Sequence, residues 1–330
     1  MKKIINISLT IFISLAVLFT SCDLDAPSQS SAESKVVLSS YALAEGLVMG
    51  IHQSFAETNS YRGRFLPFYG INSDIEWINN ISPAQINDDG KYALTGYATS
   101  PTNTQMNTDN NAWAKFYEGI ERANLAIDGL RKFGDIENSP AMAQLLGEAL
   151  TLRTVIYLDL IKGWGDVPLR LEPISSETIN LPRTDRDIIY KQMLADLGEA
   201  ENLVAWPNGS SITTSTERVN KAFVKGLMAR IALYASGYSQ RADGVRRSSD
   251  PELSVANMYK LAKDKSLEVI NSGANTLGSF EQNFRLLCQD NVQAGKESLW
   301  EIPFSDGRGR VLYTFGIKHR VVNQYTGQAQ

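Results

Sequence analysis

"GEALTLRTVIYLDLIKGWGDVPLRLEP", Gly147 to Pro173, carries a helix into an extended exit. Ala149, Arg153 and Tyr157 recur at four-residue steps, so a small residue, a guanidinium and a phenol share one helical face. Gly163 and Gly165 then stop the helix, since glycine reaches the backbone conformations that close a C-terminus. Pro168 forbids helical continuation and pushes Val167 into extended geometry.

The same alternation of helix types extends to both sides. Three segments start from a tyrosine: "YEGIERANLAIDGL" at Tyr117, "YKQMLADLGEAENLV" at Tyr190 and "YKLAKDKSLEVINSG" at Tyr259. Ile120, Ile127 and Leu130 follow the first at offsets that Met193, Ala200 and Leu203 repeat after the second; the third matches less well, with Ala262, Val269 and then Ser272. Such offsets place one apolar stripe on one helical face. The first two segments each precede a second helix, spelled Ala149, Arg153, Tyr157 and then Gly226, Arg230, Tyr234. Small residues in those positions let helices approach closely, at Ala149 and Gly226 in particular. "TDRD" at Thr184 supplies an N-cap with acids in the first turn. The expected fold is therefore mainly α, a tetratricopeptide-like superhelix of helical pairs with long loops.

The N-terminus reads as an export signal. Lys2 and Lys3 are followed by an apolar run, Ile4 to Phe19, broken only by Asn6, Ser8, Thr10 and Ser14. The run is short of the ~20 residues that a membrane-spanning helix needs and suits the apolar region of a signal peptide. Small polar residues, Thr20 and Ser21, lead to Cys22. A cysteine at that boundary is what a bacterial lipoprotein signal requires, because the thiol takes a diacylglycerol and the freed amine a further acyl chain. "FTSC" resembles that lipobox, with Phe19 where Leu is more usual. Residues 1–21 are thus expected to be the signal peptide, Cys22 the lipidated residue and membrane anchor, and residues 22–34, Ser-rich and polar, a flexible tether.

Composition bounds the remainder. Of 330 residues, 43% are hydrophobic and 21% charged, ordinary values for a chain with a large core. Without residues 1–21 the balance is 30 basic against 36 acidic residues, a net charge of −6, which argues against a nucleic-acid partner. With Cys22 acylated, Cys288 in "FRLLCQD" has no partner and reads as a buried thiol on a helix. His52 and His319 stand apart, without HExxH spacing, and read as surface or satisfied residues; no zinc site is expected. The chain has no P-loop, no G-x-G-x-x-G and no G-x-S-x-G, "DGRGR" at Asp306 reads as a turn, and "NDDG" at Asn87 lacks the alternating ligands of a calcium loop. Neither metal nor cofactor is expected.

The Gly147–Pro173 stretch resembles the hallmark of the SusD/RagB family, in which an Ala-x-x-x-Arg helix enters a Tyr-rich segment and then Gly-Asp-Val-Pro, here Gly165 to Pro168. "WAKFYEGIERANLAID" from Trp113 is similar to that family's Tyr-x-x-Ile-x-x-x-Asn helix, "ERVNKAFVKGLMARIALY" from Glu217 to its next helix, and "ESLWEIPF" from Glu297 to the strand opening its second half. The resemblance divides the chain into an N-terminal helical region, residues 35–215, and residues 216–330, which hold the remaining repeats and the start of an irregular C-terminal half. Members of that family continue past the counterpart of Gln330, which implies a fragment or truncated form. It also implies an outer-membrane lipoprotein, facing outside, that binds oligosaccharide and delivers it to a SusC-like TonB-dependent transporter without breaking a bond.

One constellation fits recognition. "YGINSDIEWINN", Tyr69 to Asn80, joins Asp74 and Glu76 to Trp77 and several Asn residues, and Tyr92 and Tyr97 follow in the adjoining long loop. A sugar offers a C–H face to an indole and hydroxyls to carboxylates and amides, and the resemblance places the family's ligand site in this region. Against this, Trp77 packing under its loop and acids capping a turn explain the same residues structurally. Trp113, on a periodic helix, reads as core. Three other functions stay open: a RagB-like peptide binder, a tetratricopeptide scaffold of the envelope, and a glycan hydrolase using two carboxylates.

Overall fold

The computed structural model describes residues 34–56, 93, 98, 100, 102–103, 111–302 and 304. Helices α1 (Ser34–Ser39) and α2 (Tyr41–Phe55) come first, then α3 (Ala112–Phe133), α4 (Pro140–Trp164), α5 (Arg186–Leu203) and α6 (Lys221–Ser236). A small antiparallel hairpin, β1 (Ser239–Arg241) and β2 (Gly244–Arg246), leads through one 3-10 turn to α7 (Val255–Ser272) and α8 (Phe280–Cys288). From α2 to α7 each helix packs on the next, and α2 also reaches α4, so the mainly α array of stacked pairs is observed.

Side chains set the helix starts. Asn111, Ser139 and Asn220 each accept a hydrogen bond from the backbone N–H three residues on, and Pro140 occupies the first turn of α4, where a missing N–H costs nothing. The cap of α5 is Asp185, which accepts from Asp187 N at 2.7 Å, one residue later than "TDRD" suggested. Thr184 is used otherwise: it bridges to Val167, with Thr184 N donating to Val167 O at 3.0 Å. The exit from α4 is as read at Gly165, whereas Gly163 stays inside the helix. Gly165 N donates to Ile161 O at 2.8 Å, its φ of 76° favours glycine, and a Cβ there would meet Arg186 Nη2 at 2.5 Å.

α4 is the central element, with every residue from Met142 to Leu158 buried. A helix enclosed on all sides is apolar nearly all round, and its few polar groups need partners. Arg153 donates through Nε and Nη2 to Asp196 Oδ2 on α5 (3.0 and 2.6 Å), and through Nη1 to Asn124 Oδ1 on α3 (2.8 Å) and Leu171 O (3.2 Å). Asn124 Nδ2 in turn donates to Arg170 O and Glu172 O. The Tyr157 hydroxyl donates to Arg170 O at 3.0 Å and accepts from Arg170 N at 2.7 Å, while the Tyr117 hydroxyl donates to Pro168 O at 2.8 Å. The extended return after Pro168 is thus held, carbonyl by carbonyl, from α3 and α4.

The repeat holds for two segments and fails in part beyond them. Ile120, Ile127, Leu130, Met193 and Ala200 are buried, as expected from the Tyr117 and Tyr190 registers. Tyr259 is exposed and α7 buries only Met258 and Ala262. Ala149, Arg153 and Tyr157 are buried, but their counterparts Arg230 and Tyr234 are exposed, and a Cβ on Gly226 would meet Leu299 Cδ1 at 3.0 Å rather than a neighbouring helix. The buried cation that α6 sends between two helices is Lys225, which pairs with Glu201 of α5 and Glu268 of α7. Close approaches lie instead at Gly119, where a Cβ would come within 2.6 Å of Ser54 Oγ on α2 and 2.8 Å of Ile156 Cδ1 on α4, and at Gly147, within 2.5 Å of Val204 Cγ1 at the end of α5.

Three further readings are settled here. Cys288 is exposed, not buried, because α8 buries none of its residues. His52 is half-buried and unsatisfied: both ring nitrogens are shielded from solvent, and neither has a hydrogen-bond partner among the described residues. Trp113 packs on the core, its ring 4.9 Å from Tyr117 and 5.4 Å from Trp164.

Two predictions follow from this packing. Gly147→Leu overpacks the α4 contact and should cost about 1–3 kcal/mol, lowering the melting temperature measured by circular dichroism. Arg153→Leu strands Asp196 and should cost about 3–5 kcal/mol, and adding Asp196→Leu should recover part of that loss in a double-mutant cycle, since removing one partner of a buried pair leaves an uncompensated charge. If the double variant were less stable than the sum of the two singles, the pair would not be the dominant interaction.

Candidate functional site

The recognition residues read from sequence, Asp74, Glu76, Trp77, Tyr92 and Tyr97, lie outside the described residues, as do Cys22, His319, Asn87 and Asp306. Two described residues near them, Ala93 and Asn103, are buried, and Ala98 N donates to Ala93 O at 2.8 Å. The chain then enters α3 through the Asn111 cap. The hallmark residues Tyr117, Asn124, Arg153 and Tyr157 bond to one another or to the return segment and so build the scaffold.

A cleft of about 480 Å³ opens between α4 and α6. Val155 and Leu158 of α4 and Leu227 of α6 contribute apolar lining, and Gly226 leaves room by having no side chain. One wall is aromatic: Trp300 stacks on Phe223 with centroids 4.7 Å apart and planes inclined by 21°. Charges complete it, with Lys162 3.2 Å from Asp159 and 5.6 Å from the Tyr234 ring centroid, and Arg230 opposite. An apolar lining, a flat aromatic wall and a few convergent polar groups are the makings of a small-ligand or side-chain receptacle. Sequence reading had noted Gly226 and the "ESLWEIPF" strand separately; only the fold brings them together.

A second cleft, about 320 Å³, lies between α3 and α5 and ends at Arg153 and Asp196. Arg131 and Glu199 pair across it at 2.5 Å. Its charges are largely committed to one another.

Burial dominates the electrostatics of the described part. Burial pushes the Tyr157 and Tyr190 phenols up to about 12 and raises Tyr117 as well, so these hydroxyls serve as hydrogen-bonding groups and not as bases near neutrality. Burial pushes the Glu148 carboxyl up, against the pull of Arg218 beside it. His52 is driven down to about 4 by burial and then by Arg218, and it touches no hydroxyl or thiol that it could activate. Among the described residues no group of three or more His, Cys, Asp or Glu is placed to hold a metal ion.

Comparison with known proteins agrees with this scaffold. A family model described as starch-binding and associating with the outer membrane matches residues 24–233. "SusD-like protein P38" of Formosa agariphila is 28% identical over 245 residues, which is 72% of this chain and 44% of that protein. The crystal structure of a SusD homolog from Bacteroides thetaiotaomicron VPI-5482 superposes with a TM-score of 0.67 at 14% identity, covering 84% of this chain and 50% of that one. A laminarin binding SusD-like protein superposes with a TM-score of 0.53 at 19% identity, covering 71% of this chain and 44% of its own. The two structural likenesses establish a shared fold, and the chain spans about half the length of these relatives or less. Matched by the family model over well more than half its length, the chain belongs to the SusD-like family.

Proposed function

We propose that this chain binds oligosaccharide at the cell surface, as a lipoprotein of the outer membrane anchored through Cys22, and hands the glycan to a SusC-like TonB-dependent transporter without cleaving it. The observation that carries the reading is the family match over residues 24–233, to a family described as starch-binding and outer-membrane-associated. A relative that shares the helical scaffold is described as laminarin binding. On this reading residues 35–215 form the N-terminal helical region, and residues 216–330 hold the remaining repeats and the start of the C-terminal half.

The proposed contacts are Asp74, Glu76, Trp77, Tyr92 and Tyr97. The Trp77 indole takes the C–H face of one pyranose, the two carboxylates accept hydroxyl hydrogen bonds, and the tyrosines extend the platform. These residues lie between α2 and α3 in the sequence, next to a rigid scaffold. The buried Arg153 network supplies that rigidity without contributing a ligand contact.

Two experiments test the reading. Trp77→Ala in the whole protein should weaken glycan binding about tenfold, in line with ~0.5–1.5 kcal/mol for such an aromatic contact beyond its area burial, with little change in melting temperature. Calorimetry against a glycan panel and a thermal melt measure the two effects; a variant that melts early and binds normally below its transition removes Trp77 from the site. A parent that binds peptides and no glycan replaces the sugar with a peptide ligand. For the anchor, Cys22→Ser should move the protein out of the membrane fraction and abolish incorporation of a fatty-acid probe; equal labelling of variant and parent would remove the lipobox.

A further inference from the structure

Among the described residues, both ring nitrogens of His52 and the neighbouring Trp300 Nε1 are buried polar atoms without a hydrogen-bond partner, at a joint between elements. His52 lies on α2 with its ring 6.0 Å from Phe55, edge-on, and 6.4 Å from Trp300. Trp300 belongs to a strap, residues 299–302, that crosses from the end of the described chain back over α2 and α6. The strap is stitched by Asn220 Nδ2 donating to Leu299 O at 2.9 Å and by Glu301 N donating to Thr216 O at 2.9 Å. Its remaining hold is aromatic: Trp300 stacks on Phe223 of α6 at 4.7 Å and meets Phe55 of α2 edge-on at 6.3 Å. The imidazole therefore fills part of the seat into which Trp300 is pressed.

We propose that protonation of His52 unlatches the Trp300 strap from α2 and so reshapes the α4–α6 cleft, whose aromatic wall is Trp300. A neutral imidazole is tolerated in an aromatic seat; an imidazolium there finds no acceptor among the described residues. The charged groups on the elements around it do not rescue the cation. Arg218, from the segment ahead of α6, bears on the ring and repels it. The carboxylates of Glu45 on α2 and Glu148 on α4 are already bonded to Arg218, and Glu118 on α3 pairs with Arg122 and Lys115. Glu301, in the strap itself, is partly exposed and turned to the neighbouring surface cleft beside Thr216. A cation–π gain from Trp300 is small at a tilted 6.4 Å, beyond the usual reach of about 6 Å.

The sign is fixed by the depressed value. With the latched ring titrating at about 4 and an exposed ring at 6.5, latching is fully favoured above pH 6.5 and loses ground as pH falls toward 4. The latched-to-unlatched ratio drops up to tenfold per pH unit across that interval, about 300-fold in all.

The test follows the emission wavelength of Trp300 in the full chain from pH 7 to pH 4, with Trp300→Phe providing the background from the other tryptophans and far-UV circular dichroism recorded in parallel. The parent should red-shift over this range, Trp300→Phe should lack that component, and helicity should hold. His52→Leu and His52→Gln, neither of which titrates, should both keep the Trp300 emission blue to pH 4; the second variant covers a failure of the first to fold. A red shift of the same midpoint in His52→Gln, no red shift in the parent, or a helicity loss that tracks the shift would each overturn the proposal.

Discussion

A guanidinium sealed inside a helical stack imposes more order than any apolar contact around it. The Arg153 side chain is 4% exposed, and taking such a charge out of water costs several kcal/mol unless every donor is met. Its donors are met by three separate elements: Asp196 from α5, Asn124 from α3, and Leu171 from the return after Pro168. Gln192 secures the other oxygen of Asp196 at 2.7 Å. None of these partners can shift alone without leaving a buried polar group open, so the arrangement of α3, α4, α5 and the return is decided together. Apolar burial drives these helices into contact; the polar network selects the register in which they meet.

That account explains which parts of the fold were readable. Tyr117, Asn124, Arg153, Tyr157 and Pro168 occur in collinear order in the sequence because each contributes to one network around residues 168–172. A pattern of that kind reports a scaffold, even when it resembles the hallmark of a binding family. Gly165 and Pro168 ended α4 where local backbone chemistry said they would, since a positive φ and a missing N–H need no tertiary information. The same local spelling misled on α6. Arg230 and Tyr234 repeat the residue types of Arg153 and Tyr157, yet both are exposed, whereas Lys225 sits buried between Glu201 and Glu268. Whether a cation is buried depends on which helix brings an acid to it, and that pairing spans 24 residues to Glu201 and 43 to Glu268.

Cys288 and His52 illustrate the same limit from opposite sides. The α8 sequence is strongly amphipathic, with the Phe280 and Phe284 rings tilted against each other at 4.6 Å, but its face stays outside the core and the thiol with it. Periodicity gives the face and is silent on what covers it. For His52 the covering group, Trp300, is almost the whole described chain away, and no spacing rule links the two. Of the recognition site, the sequence offers residue types suited to a sugar, and their positions before α3 fall outside the described residues. The α4–α6 cleft was invisible for a related reason: Gly226, Phe223 and Trp300 are unremarkable until they face one another.

The scaffold thus contains two kinds of buried polar group, and they respond differently to solution conditions. Arg153 and Arg218 keep their charge at any working pH, Arg153 held by Asp196 and Asn124 and Arg218 by Glu45 and Glu148. His52 has no such partner among the described residues, and its protonation state is the variable left open at the α2–strap joint. Because the Arg218 guanidinium that Glu45 and Glu148 hold in place is also the charge that repels an imidazolium, the Arg218 joint sets the sensitivity of the His52 one. A substitution that freed Arg218 to move away would relax the repulsion while leaving the aromatic seat intact. The pH response of Trp300 is in that sense a property of the Glu148–Arg218 pair as much as of the histidine.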